Sequence, residues 1–255
     1  MSSLANLMII KRAMENMVKE GEKDVELQTV KLEKSFVKIS QYDINEHRII
    51  CYTNGDLYQG NLSNGNKHGI GRYEYHKGNI YFGEFQDERN GIGIITFKSG
   101  NIYKGMQIDG LRNGFGIYSY KETDGIYSGY FVNDSRCGFG IHQNPICKGM
   151  FDQTIKENRI YGVKYNQDGE FWGTFDMNTI FDGIGFQYEN GFLQYAGFYK
   201  NQKKHGFGAI RLDDEYHEGL FSENKMITLK NIVISPFKLR LIENMMTDVM
   251  IKIEK

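Results

Sequence analysis

The sequence predicts a mainly β protein: an elongated, single-layer antiparallel sheet of about seven β-hairpin repeats, with an amphipathic helix at each end. Three observations predict it. The chain of 255 residues carries 30 Gly and 17 each of Tyr and Phe but only 2 Pro, so rings and small backbone positions are used together many times. A ladder of aromatic-x-Gly triplets runs through it, at Tyr58-Gln-Gly60, Tyr81-Phe-Gly83, Tyr103-Lys-Gly105, Tyr127-Ser-Gly129, Phe171-Trp-Gly173 and Tyr195-Ala-Gly197, with weaker copies at Cys147-Lys-Gly149 and His217-Glu-Gly219. A second ladder of Gly-x-Gly runs between them, beginning at Gly69, Gly91, Gly114, Gly138, Gly183 and Gly206.

The period fixes the element type. The triplet glycines recur at steps of 20 to 24 residues, too short for a strand-helix-strand unit and right for a hairpin closed by Gly, Asn and Asp turns. Along a strand, residues two apart share a face, so Tyr81, Gly83 and Phe85 point one way. The missing side chain leaves a slot for a ring, and the second strand repeats the device with Gly71, Tyr73 and Tyr75. Each hairpin then adds about 10 Å to the array.

These residues resemble the MORN (membrane occupation and recognition nexus) family, whose unit reads approximately Tyr-x-Gly-x-Phe, a loop, His-Gly-x-Gly, then Tyr and a closing Gly. The run from Gly78 through Tyr81, Gly83 and Phe85 to Arg89, Asn90, Gly91 and Gly93 shows the likeness well, and Lys67-His68-Gly69 and Lys204-His205-Gly206 carry the family His. Residues 55–221 are assigned to the array, with a degenerate unit at about 147–168 where Gly-x-Gly collapses to Tyr161-Gly162-Val163 and an interruption is expected.

Residues 1–54 are read as an N-terminal helix and capping strands. Leu4, Leu7, Met8, Met14, Met17 and Val18 fall largely on one side of a helix over 3–19, whereas the near-alternation of Val25, Leu27, Val30, Leu32, Phe36, Val37 and Ile39 favours strands covering the first repeat. Arg48 to Gly55 reads like the second half of a repeat without its Gly-x-Gly, a capping strand. Residues 222–255 are read as a strand and an amphipathic helix: Ser235 before Pro236 suits a helix start, and Leu239, Ile242, Met246, Val249 and Ile253 form a seam that caps the last hairpin, dimerises or docks on a partner.

A net charge of −1 gives no global field toward nucleic acid or membrane. Three widely spaced cysteines fit a reducing compartment, no apolar run approaches the roughly 20 residues of a spanning helix, and the N-terminus is a poor signal peptide. A cytoplasmic protein is expected, associated with cytoskeleton or membrane. No cofactor and no metal are expected: Cys137, His142 and Cys147 match no standard zinc spacing, and His68 and His205 suit turn residues better than ligands. The Gly-x-Gly pairs lead into strands, not helices, which removes the phosphate-loop reading, and no catalytic motif is present.

Two surfaces carry the functional expectations. Tyr58, Tyr81, Tyr103, Tyr127, Phe171 and Tyr195 form an aromatic face that either fills itself or docks a partner peptide or helix. Lys67, Arg89, Arg112, Arg136 and Lys204, each two before Gly-x-Gly, form either a solvated edge balanced by Asp87, Glu88 and Asp134 or a stripe for anionic lipid or an acidic partner. Trp172, mid-triplet, points to the opposite face and marks a second contact.

The resemblance implies a non-enzymatic scaffold in a cytoskeletal, ciliary or membrane-associated assembly. An anionic-phospholipid adaptor, and an accessory subunit of a lipid kinase or methyltransferase, are the alternatives. Only 34 residues follow Phe221, so an activity would need a catalytic partner on another chain. A homodimer stays open, and nucleic acid is not an expected partner.

Overall fold

The computed structural model describes residues 3–44, 47, 49–144, 146–152, 159–165, 167, 169–176, 180 and 182–234. The fold is one long helix, α1 (Ser3–Ser40), followed by antiparallel strands. The chain divides into two compact units, Gly21–Asn158 and the remainder, and the boundary at 158/159 falls inside the degenerate repeat.

In the unit Gly21–Asn158 the strands are β1 (Ile49–Cys51), β2 (Leu57–Ser63), β3 (Asn66–Glu74), β4 (Ile80–Gln86), β5 (Glu88–Thr96), β6 (Ile102–Ile108), β7 (Leu111–Ser119), β8 (Ile126–Val132), β9 (Ser135–Gln143) and β10 (Ile146–Asp152). Each pairs antiparallel with the next, with β1 at one edge pairing Ile50 with Tyr58. The register puts glycine opposite glycine at Gly60↔Gly71, Gly71↔Gly83, Gly83↔Gly93 and Gly105↔Gly116.

Hairpin turns at one end are left-handed, at two residues in Asn64-Gly65 (φ 50° and 84°) and Asp109-Gly110 (50° and 78°) and at Asp87 alone (64°) between β4 and β5. This backbone matches the twist of the flanking strands, and Asn, Asp and Gly tolerate it best. Longer loops close the other end, and they are stitched to one another: Asn79 and Asn101 side chains accept from the N–H groups of Lys98 and Lys121, both at 3.0 Å.

The other unit contains β11 (Arg159–Tyr165), β12 (Gly169–Phe175), β13 (Gly183–Glu189), β14 (Phe192–Lys200), β15 (Lys203–Leu212), β16 (Glu215–Ser222) and β17 (Lys225–Ile234). These also pair in sequence order, with Gly185↔Gly197 and Gly197↔Gly208 opposed.

One expectation is corrected. Residues 25–39 are helix, not strands covering the first repeat. The reason is a seven-residue period: Leu4, Lys11, Val18, Val25, Leu32 and Ile39 are all buried, whereas Leu27, Val30 and Val37 are exposed. The apparent alternation mixed an inward stripe with outward residues. The predicted C-terminal helix from Ser235 lies outside the described residues.

Each half of α1 lies on the sheet of its own unit. Residues 21–40 lie over Phe82, Ile94, Ile117 and Phe139; Gly21 packs on the Phe139 ring, and Tyr130 donates to Asp24 at 2.6 Å. Residues 3–20 meet Trp172 and Tyr188, with the Lys11 ammonium 5.1 and 4.5 Å from the ring centroids and paired to Glu15 at 2.5 Å. Trp172 thus has its second contact within the chain, against α1. The first turn of α1 has no acid of its own; buried Glu218 of β16 supplies one, accepting from the Leu4 N–H at 2.8 Å.

Candidate functional site: the ring face

Side chains alternate between two faces of each sheet. One face meets α1. The other, the ring face, carries Tyr58, Tyr81, Tyr103 and Tyr127 in one unit and Phe171 and Tyr195 in the other.

Each tyrosine ring lies across a pair of glycines. A Cβ on Gly93 would stand 2.3 Å from the Tyr81 ring, and one on Gly83 would meet the Tyr81 hydroxyl at 2.6 Å and the Gly93 Cα at 2.4 Å. The hydroxyl has a partner that the sequence did not reveal. The register slips by two residues after the triplet glycine, so that Asn61, Glu84, Met106, Tyr130 and Phe198 each face three residues of the following strand. The bulge is on that following strand, and the single residue facing it has no partner in that ladder. In all five cases the tyrosine three residues earlier donates to that residue's carbonyl, at 2.6 Å for Tyr58, 2.8 Å for Tyr81 and Tyr103, 3.2 Å for Tyr127 and 3.0 Å for Tyr195. Burial pushes the Tyr58 hydroxyl up to about 12 and raises those of Tyr81, Tyr103, Tyr127 and Tyr195.

Phenylalanines lock neighbouring repeats together. Phe85 sets its edge against Tyr58 at 5.2 Å and Tyr81 at 5.0 Å, and Phe131 against Tyr103 and Tyr127, both at 5.3 Å. Edge-to-face pairs of this kind are worth about 0.5–1.5 kcal/mol beyond their burial. In the other unit Tyr195 makes the same contacts with Tyr199 at 5.3 Å and Phe221 at 5.1 Å.

The packing sets the exposure of the aromatic residues expected to dock a partner. Tyr58, Tyr81, Tyr103, Tyr127 and Tyr195 are 0% exposed and Phe171 is 7% exposed, so these rings present no surface of their own. The outer layer comes from the second strand and its loop: Tyr73, Tyr75, Tyr118 and Tyr120 are half-buried, in tilted pairs at 4.6 Å.

The basic residues join that outer layer. Lys67 stands 5.1 Å from Tyr73, Arg89 5.7 Å from Tyr75, Arg112 5.4 Å from Tyr118 and Arg136 5.9 Å from Tyr120; in the other unit Lys204 stands 4.9 Å from Tyr195. They are half-buried over rings, not spread along a solvated edge. Arg89, near the start of β5, is level with Phe85 of β4, and the six extended residues from there to the level of Phe97 span ~20 Å. Its meeting with Tyr75, level with Phe97 in the register, therefore requires strands bent strongly toward the ring face. Arg112 is also fixed by Asp134, through Nε at 2.8 Å and Nη2 at 2.7 Å to the carbonyl. Burial lowers the Lys204 ammonium below the usual lysine range.

His68 and His205 lie inside β3 and β15, not in the turns. Among the described residues no group of three or more His, Cys, Asp and Glu is placed to hold a metal. No helix among them is long and apolar enough to cross a membrane.

The family model for the MORN repeat matches residues 58–80, 81–102, 103–123 and 127–145. No curated protein matches the chain. Among solved structures it is similar to the G-box domain of the microcephaly protein CPAP, at 10% identity over 68% of this chain and 86% of that one, with a TM-score of 0.28. It is also similar to the Drosophila melanogaster SAS-4 TCP domain in complex with a proline-rich motif of Ana2, at 12% identity over 76% and 92%, with a TM-score of 0.27. Likenesses of that size carry no argument about function.

Proposed function

Because the chain is a MORN repeat protein, we propose that it is a non-enzymatic interaction scaffold that docks a partner protein on the ring face of its repeats. The observation that carries this reading is the unequal treatment of the two faces. In the unit Gly21–Asn158, α1 lies on one face, while the other presents half-buried tyrosines beneath Lys and Arg side chains. Aromatic rings and arginine are the residue types that anchor protein interfaces. The resemblance to MORN proteins of cytoskeletal, ciliary and membrane-junction assemblies suggests the setting.

An anionic membrane surface suits the arrangement less well. The cations lie over rings within the face, and Arg112 holds Asp134, whereas a flat lipid surface calls for charges projecting from a rim. The test compares proteins captured by the full chain and by a Tyr75→Ser/Tyr120→Ser variant with unchanged circular dichroism. Loss of one defined partner from the variant is expected. Identical captures from both chains would remove the ring face from the function.

A further inference from the structure

Gln107 breaks the aromatic row of the unit Gly21–Asn158. Where neighbouring repeats place Phe85 and Phe131 two residues after the triplet glycine, the repeat of Tyr103 and Gly105 places an amide. The side chain is 0% exposed, and neither its Oε1 nor its Nε2 has a hydrogen-bond partner. Burying both ends of an amide unpaired is costly, and a phenylalanine in the style of Phe85 and Phe131 would relieve it. A regular array that keeps such a break keeps it against its own stability, the mark of a position held for binding.

The surroundings point the same way. Gln107 pairs in register with Gly91 on one side and Arg112 on the other. Arg89 stands two residues before Gly91 on the same face; its Nε is also buried without a partner, although Nη2 donates to the Gly110 carbonyl. Among the described residues neither Lys67 nor Arg89 makes an ion pair. The ring-facing strand positions of this unit carry Lys67, Arg89, Arg112 and Arg136, and the carboxylates beside them come from loops and turns: Asp56, which accepts from the Tyr73 hydroxyl, and Asp134, paired to Arg112.

The repeat sets the spacing. Successive cations are two strands apart, about 9.6 Å at ~4.8 Å per strand. An extended or polyproline-type peptide crossing the strands rises ~3.1–3.4 Å per residue, so three residues cover the same distance.

We propose that this face docks an extended acidic segment of a partner protein, with Gln107 receiving a main-chain amide and the four cations receiving carboxylates at about every third residue, the one at Arg112 displacing Asp134. The inference rests on the docking reading above and specifies the partner's chemistry. Carboxylates meeting guanidiniums over apolar rings form charge-assisted bonds in a partly dry setting. Gln107 is covered in the unbound chain, so the arriving segment must draw the side chains over it aside.

The experiment pans a random peptide display library against the full chain, Gln107→Phe, Arg89→Gln and Tyr75→Ser/Tyr120→Ser, and measures affinity for the enriched peptides and for phosphatidylserine vesicles. The expected result is enrichment of peptides with Asp or Glu at every third position. Their affinity should fall at least about tenfold on both Gln107→Phe and Arg89→Gln, while the melting temperature of Gln107→Phe rises by ~2–4 °C. That rise separates lost binding from lost folding. Peptides that depend on Tyr75 and Tyr120 but lack acidic periodicity, or bind Gln107→Phe equally, would overturn this inference and leave the docking reading standing. If no peptide depends on the ring face, or only vesicles bind, both are overturned.

Discussion

The hydroxyl of Tyr81 donates to the carbonyl of Glu84 at 2.8 Å, and Glu84 is the residue that faces the bulge of Asn90, Gly91 and Ile92 in the next strand. Opposite the bulge that carbonyl has no partner across the ladder, and the tyrosine ring lying there supplies the donor. This is a reason for tyrosine at the start of the triplet that ring packing over glycine alone does not give.

Tyr81→Phe should therefore cost about 1–3 kcal/mol while leaving the packing intact. Urea unfolding of the full chain followed by circular dichroism measures it. A change within about 0.5 kcal/mol would mean the Glu84 carbonyl finds water, and that the hydroxyl is incidental.

Glycines in this chain divide into those that admit a ring and those that admit a turn. Gly93→Ala puts a methyl 2.3 Å from the Tyr81 ring and should destabilise by at least about 1–3 kcal/mol. Gly65→Ala meets nothing within 4 Å and carries only the strain of its φ of 84°, about 1 kcal/mol. Thermal melts of the two variants should rank in that order.

Gly21 is an unfavourable residue in the middle of α1, and Ala there would ordinarily strengthen the helix by about 1 kcal/mol. Here the added Cβ would stand 2.3 Å from the Phe139 ring. Gly21→Ala is expected to lower the melting temperature, and Gly21→Ala with Phe139→Leu to recover part of the loss. A single variant more stable than the parent would show that the helix does not sit tightly on Phe139.

Alkaline pH gives an independent check on burial. Tyrosine ionises near 10 in an unfolded chain. In the folded chain burial raises the hydroxyls of Tyr58, to about 12, and of Tyr81, Tyr103, Tyr127 and Tyr195, while burial and the bond to Asp24 push Tyr130 to about 12. A folded value above the unfolded one contributes stability that is complete below pH ~10 and is lost as pH rises toward the folded values. Phenolate absorbance should thus appear in two phases, exposed rings near pH 10 and the array rings later, together with loss of β circular dichroism. One smooth phase near pH 10 with the fold intact would contradict the burial.

Much of the fold was legible because a ring and a glycine two residues apart can mean little else when they recur at hairpin spacing. The strand that closes the first repeat, Ile49–Cys51, was legible for the same reason. Residues 25–39 were not: a helix whose inner stripe is Val25, Leu32 and Ile39 and whose outer surface includes Leu27, Val30 and Val37 reads as alternation in a short window, and only the seven-residue spacing back to Leu4 distinguishes it. The ring face was identified, but which of its rings remain open depends on strand bending that no local pattern records. Gln107 was visible as a departure from the Phe85 and Phe131 position, and it carried no meaning until its amide was found buried and unpaired.

The central claim is that the ring face, not the helix, meets the partner. Photo-crosslinking from a benzoylphenylalanine placed at Tyr120, and in a separate chain at exposed Leu27 of α1, tests it in the cell of origin. The account predicts a defined protein adduct from position 120 and none from position 27. Adducts confined to position 27, or lipid adducts alone from position 120, would contradict it.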